Sequence, residues 1–318
     1  MTDSPRVRRM EPEPAPTSTR SEASIFRRDS LASSFLRVLL FIVLSVSVTY
    51  ALNWIPPHFT ADGSPFRPQF LIPRELVAMS GIFCAAWIMS RLENRKFGEY
   101  GLPLAGAFGK LFWIGVLLGA TEISVVVGSM AAFGGYHFGS LAIHGRPLLR
   151  WAAIWLVFFL IVGFYEEFLL RGYIQFTLGR GMGFWPAAVL LSVVFGGLHV
   201  TNPGENWAGI LGIVLIGLFW CLTLRVTGTL WLAVGMHTAF DFGETFLYSV
   251  PDSGVVFPGH LSDSTLSGPA WLTGGTAGPE ASAFDFLMLS LFFFGFFLMY
   301  RRNRKLEPSS PSPRELAH

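Results

Sequence analysis

Three short stretches hold the residues able to do chemistry. Phe164 to Tyr173 reads FYEEFLLRGY, which sets Glu166 beside Glu167 with Arg171 four residues on. FGGLH ends at His199, one helical turn after Phe195. GMHTAFDF places His237 and Asp241 four residues apart. Carboxylates and imidazoles of this kind can supply a base for water, an acid for a leaving amine and donors for an oxyanion, the needs of peptide hydrolysis. No suitable Ser or Cys elbow lies nearby, so the set fits attack by water rather than an acyl-enzyme. Glu166, His199 and His237 are also a two-His, one-Glu zinc set with an open position. The HExxH pair, the strongest zinc signal, is absent. Spacing leaves both routes open.

Helix geometry divides the doubled acid. Neighbours on a helix point about 100° apart. Glu167 and Arg171, at i and i+4, suit an ion pair on one face. Glu166 then faces elsewhere, free to act as acid or base. The competing reading is a helix-end salt-bridge network without chemistry. His199 alone reads equally well as an interhelical hydrogen-bonder, with Gly196 and Gly197 permitting close approach. His237 and Asp241 share a face. They form a buried local hydrogen bond, a polarised pair aimed at a reacting oxygen, or two metal ligands.

The elements that must position these groups are membrane helices. The 318 residues are 52% hydrophobic and only 14% charged, against about 25% charged in soluble domains. Mean hydropathy is +0.49. A net charge of +2 gives no reason to expect a nucleic-acid partner. The expected fold is all-α, a polytopic bundle of about eight transmembrane helices. The spans read as Ser34–Ile55, Leu76–Leu92, Leu111–Gly134, Trp151–Tyr173, Trp185–Val200, Trp207–Leu224, Leu230–Val250 and Phe284–Tyr300. Residues 1–33, rich in Pro, Ser and Arg, read as a disordered cytoplasmic tail, 34–300 as the membrane domain with a catalytic core near 151–246, and 301–318 as a second cytoplasmic tail. Lys and Arg concentrate on the segments that would be cytoplasmic if the N-terminus is. That predicts both termini inside a plasma or bacterial inner membrane. The Gly/Ser/Thr/Pro-rich segment 251–283 reads as a flexible outward connection. Cys84 and Cys221 read as buried small hydrophobes rather than a disulfide. Trp54, Trp151, Trp185, Trp207 and Trp231 suit interfacial anchors.

Depth offers a test of convergence. Glu166 lies 16 residues before the turn near Met182 and His199 lies 17 after it, so both are about 25 Å from that turn. His237, nine residues past Gly228, is about 14 Å in. The levels match if RGYIQFTLGR leaves the core or lies along its surface. Of the remaining intramembrane acids, Glu122 is expected to partner a polar group in another span, with a place on the substrate path as the alternative. Glu244 is expected to line the same cavity or face the lumen. Arg225 reads as an ordinary loop charge.

EEFLLR, FGGLH and HTAFD, in this order on successive spans, resemble the motifs of the CAAX-protease and bacteriocin-processing (CPBP, or ABI) family of intramembrane endopeptidases, to which the type II CAAX prenyl endopeptidases belong. The resemblance runs from about Trp151 to Phe246 and includes the approach TGTLWLAVGMH. It implies that Glu166 activates water with help from His199, that His237 and Asp241 stabilise the oxyanion, and that Glu167 and Arg171 support the site. The family commonly has Asn where this chain has Asp241. An ionised Asp cannot donate to an oxyanion, so it would orient His237 or be protonated. The implied substrate is a membrane-associated or lipid-linked peptide or protein, with either no cofactor or zinc. A catalytically idle scaffold or immunity protein is the alternative. A transporter is the third, disfavoured because the charges cluster in three motifs and no repeat is evident.

Overall fold

The computed structural model describes Phe26, residues 30–53 and residues 68–306. The expected tails, Trp54 and the end of the first span fall wholly or mostly outside these. The described residues are predominantly helical. In order come α1 (Leu31–Asn53), α2 (Pro68–Leu92), α3 (Lys110–Ala132), α4 (Arg146–Glu167), α5 (Gln175–Met182), α6 (Phe184–His199), α7 (Trp207–Thr227), α8 (Trp231–Phe242), the single turn α9 (Ala270–Thr273) and α10 (Ala283–Leu306). Two-residue strands β1 (Tyr136–His137) and β2 (Thr265–Leu266) pair antiparallel.

Among the described residues six helical stretches are long and apolar enough to cross a membrane, not eight. The expected fifth span is α6, apolar but only 16 residues long. The expected seventh is the 12-residue α8, continued by a five-residue π-helical turn, Gly243–Leu247. Both are shorter than the roughly 20 residues a span requires. The outer helix faces carry apolar side chains such as Val46, Leu117, Val193 and Phe294 in the open. Such continuous apolar surface is matched to lipid rather than water, and the protein is an integral membrane helical bundle.

α8 is the centre of the bundle. Every residue from Trp231 to Thr238 is buried. It packs on α3, α4 and α7. The crossing with α3 is a contact between backbones. A methyl group at Gly115 would overlap the Leu232 carbonyl oxygen, one at Gly119 the Met236 carbonyl oxygen, and one at Gly235 the Phe112 carbonyl oxygen. Glycine at these three positions brings the helices closer than any side chain permits, and fixes the height and rotation of the segment that carries His237 and Asp241.

α4 does not run straight into α5. From Phe168 to Ile174 the chain is π-helical, and Gly172 departs from helical geometry at ψ −111°. A π-turn inserts an extra residue and reorients the helix beyond it. The RGYIQFTLGR segment therefore leaves the α4 axis, but it neither leaves the core nor lies along its surface as expected, since Arg171, Gly172, Tyr173, Ile174, Gln175, Thr177 and Leu178 are buried. α5 packs on α1 and α6.

The segment 251–282 is a folded cap rather than a flexible connection. Val255, Leu272, Ala277 and Ala281 are buried. The β1–β2 pair and a bridge between Leu141 and Ser262 tie it to residues 135–145. Trp155 Nε1 donates to Pro258 O at 3.1 Å and Asn206 Nδ2 to Gly274 O at 3.0 Å. Glycine and proline in this segment shape turns that bury apolar side chains. Cys221 is buried as expected, but Cys84 is exposed on α2, because a membrane bundle turns apolar side chains outward as readily as inward.

Candidate active site

Glu167, at the end of α4, is fully buried and has two partners. Arg171 Nη1 donates to its Oε1 at 3.0 Å, the expected i,i+4 pair. The same oxygen lies 3.2 Å from His237 Nδ1. Arg171 is itself buried, and its guanidinium lies over the Phe195 ring at 4.2 Å and near the Trp220 ring at 5.3 Å. Its Nε and Nη2 have no hydrogen-bond partner. The two aromatic faces take up the cationic charge that those groups leave unpaired.

Glu166 faces the other way. Its Oε2 is 3.7 Å from His237 Nε2, and its side chain keeps 24% of its surface accessible while that of Glu167 keeps none. His237 Nε2 is also 3.1 Å from Asp241 Oδ2. Both ring nitrogens of His237 thus face carboxylate oxygens. The doubly protonated ring satisfies both, since a neutral imidazole has a single N–H. The Trp220 ring stacks on the imidazole with centroids 4.5 Å apart and planes at 21°, a position suited to a cationic ring. His199 Nδ1 is 2.8 Å from Phe195 O. That contact assigns the proton to Nδ1 and leaves Nε2 as an acceptor.

Glu166, His199, His237 and Asp241 line one cavity of about 370 Å³. Residues outside the three motifs complete it. Trp220 comes from α7, Glu75 from α2, Asp252 and Glu280 from the cap, and Asp285 from α10. A tryptophan in the middle of a span, away from either interface, was the sequence signal for Trp220. Asp252 and Glu280 sit in the segment read as a flexible loop, where an acid attracts no notice. Burial, reinforced by Asp241 beside Asp252 and by Asp252 beside Glu280, holds both carboxyls well above the usual carboxylate range. Glu122 lines the cavity too, as does Asp285 of α10, and Glu122 Oε2 has no hydrogen-bond partner. Glu244 is fully buried and is not among the lining residues. Arg225 lies 5.6 Å from the Phe184 ring, away from the site.

Among the described residues, the group of three donors close enough to share a metal ion is not Glu166, His199 and His237. It is Asp241, Glu244 and Asp252, whose ligand oxygens lie within 4.8 Å of one another.

A second polar knot stands apart from this cavity. Tyr173 Oη donates to Glu93 Oε1 at 2.5 Å and Tyr100 Oη to Glu93 Oε2 at 3.2 Å. Arg37 and Arg95 each lie 3.9 Å from that carboxylate. It fastens α1 and the end of α2 to the π-helical turn after α4, and nothing in the three motifs pointed to it.

Residues 147–243 match the family model described as Type II CAAX prenyl endopeptidase Rce1-like, the family that the three motifs resemble. No curated protein matches the chain. The matched segment contains Glu166, Glu167, Arg171, His199, His237 and Asp241 and stops before Glu244. At family level the chain is similar to CAAX-type membrane proteases, whose substrates are membrane-associated.

Proposed function

We propose that the protein is a membrane-embedded endopeptidase that hydrolyses a peptide bond of a membrane-associated or lipid-linked peptide by water activated on Glu166. The observation that carries this reading is the meeting of Glu166 Oε2 and Asp241 Oδ2 at His237 Nε2, at 3.7 and 3.1 Å, in a cavity that also receives His199. Water held between Glu166 and His199 loses a proton to Glu166 as its oxygen bonds to the carbonyl carbon. The carbonyl oxygen takes up the displaced electron pair and is stabilised by His237 Nε2–H. Glu166 then delivers the proton to the leaving nitrogen as the C–N bond breaks. Glu167 accepts from Nδ1–H, and Asp241 holds Nε2–H until the oxyanion forms and draws it over, so the two carboxylates set the imidazolium plane. Asp241 in this scheme orients His237 and does not itself donate to the oxyanion.

Zinc fits this donor set poorly. Both nitrogens of His237 face carboxylates and His199 Nδ1 faces a backbone carbonyl. Glu166 and His199 Nε2 remain, fewer than the three protein ligands of catalytic zinc sites. We retain the orientation in which both termini are cytoplasmic, from the distribution of basic residues, and a bacterial inner membrane as the setting.

The test is cleavage of a lipid-linked peptide by the purified protein in nanodiscs. Glu166→Gln and His199→Ala are expected to lose about 10²–10⁴-fold in rate, the range for a positioned acid or base. A zinc-selective chelator is expected to leave the wild type unchanged. Cleavage by both variants at the wild-type rate would overturn the site assignment. Loss with the chelator and recovery with zinc would overturn the metal-free route.

A further inference from the structure

Beyond the catalytic groups, α8 continues into its π-turn with two carboxylates one turn apart, Asp241 and Glu244. The chain then folds back and brings in a third, Asp252. Its position is fixed from both sides. Thr245 Oγ1 donates to Asp252 Oδ2 at 3.0 Å, and the Asp252 backbone pairs with Val255 in both directions. One oxygen from each of the three acids falls within 4.8 Å of the others. Glu244 is the telling member. It has no exposed surface, and neither of its carboxylate oxygens has a hydrogen-bond partner. Among the described residues no arginine or lysine makes an ion pair with any of the three.

Glu244 is a buried carboxylate without donors, which is costly, and two further carboxylates facing the same point make it more so. A proton can bridge only one pair of the three, whereas a cation at the centre reaches all three. Ligand oxygens about 2.3–2.6 Å from a Ca²⁺ ion stand no more than about 5 Å apart, which the 4.8 Å limit satisfies. The donors are all oxygen, which selects a hard ion over zinc. Mg²⁺ keeps most of its water and takes one or two carboxylates, whereas Ca²⁺ accepts a larger protein-built oxygen shell.

We infer that Asp241, Glu244 and Asp252 form a binding site for a hard divalent cation, Ca²⁺ by preference, which joins the end of α8 to the cap. The site does not depend on the peptidase reading. Its ligands extend beyond the segment that carries the family match, and its ion takes no part in water activation. Asp241 belongs to both sites, so an ion here would also restrain the carboxylate that orients His237.

The test uses full-length protein in nanodiscs, stripped with EGTA and titrated with Ca²⁺, Mg²⁺ or Zn²⁺ while intrinsic tryptophan emission follows thermal unfolding. A second arm counts bound Mn²⁺ by electron paramagnetic resonance. Expected are a saturable rise in melting temperature that is largest with Ca²⁺, and one Mn²⁺ per chain that Ca²⁺ displaces. Glu244→Gln and Asp252→Asn should each abolish both signals, while Glu99→Gln, a surface change, should keep them. The inference is overturned if the wild type takes up no Mn²⁺ at millimolar concentration and shows no Ca²⁺-dependent shift, a result that stands even if a variant fails to fold. It is equally overturned if Glu244→Gln folds and retains the response. Neither arm reads cleavage, so failure here leaves the peptidase assignment to its own experiment.

Discussion

At the scale of single residues, one oxygen of Glu167 serves both Arg171 and His237. The arginine that neutralises the acid therefore also governs the His237 imidazole. Arg171→Ala strands a buried charge and is expected to cost about 3–5 kcal/mol, read as a lower melting temperature. Arg171→Lys should recover little, because an ammonium cannot spread over the Phe195 and Trp220 rings as a guanidinium does. Asp241 gives a sharper test of role. If it orients His237 by accepting a hydrogen bond, Asp241→Asn keeps an acceptor and most of kcat/KM. Asp241→Ala should then lose a bond to a charged group, about 1.5–3 kcal/mol or roughly ten- to a hundredfold. The i,i+4 spacing made the pairs Glu167–Arg171 and His237–Asp241 legible before any coordinates, because both partners ride on one helix. The Glu167–His237 contact and the Trp220 stack were not legible, since each joins residues of different helices whose rotation no single-helix pattern fixes.

Among elements, the α3–α8 crossing sets the site. Gly115→Leu or Gly119→Val pushes α3 off α8, at an overpacking cost of about 1–3 kcal/mol or more. The accompanying shift of His237 should reduce cleavage further than the loss of folded protein accounts for. Gly128→Val, on the same helix with open space around it, is the control and should be neutral on both counts. Cleavage and melting of the three variants side by side check the claim. Hydropathy located nearly every long helix, with α3 expected at Leu111–Gly134 and found at Lys110–Ala132. Two of the eight expected spans, α6 and α8, fall short of span length, because an apolar run records what a segment is buried in, protein or lipid alike. α8 is apolar from its place inside the bundle and needs no span-length run.

For the whole molecule, the cap decides how closed the cavity is. Its composition suggested mobility, yet Trp155, Asn202 and Asn206 hold its backbone. Limited proteolysis should spare residues 251–282 in the wild type. Trp155→Ala should open them to cleavage, with loss of peptidase activity in step. The fold leaves one further consequence in the membrane around it. α6 has 16 residues, about 24 Å at 1.5 Å per residue, and it turns Val189, Val193 and Leu198 outward. A hydrocarbon layer about 30 Å thick must pinch in to meet so short a wall. Acyl chains beside α6 are compressed, and headgroups with their water are drawn toward the depth of His199. In the proposed reaction a peptide bond arriving along that flank would shed less oil and meet water sooner than in undisturbed bilayer. Turnover should accordingly rise in short-chain lipids and fall in long-chain ones, with the protein equally folded in both.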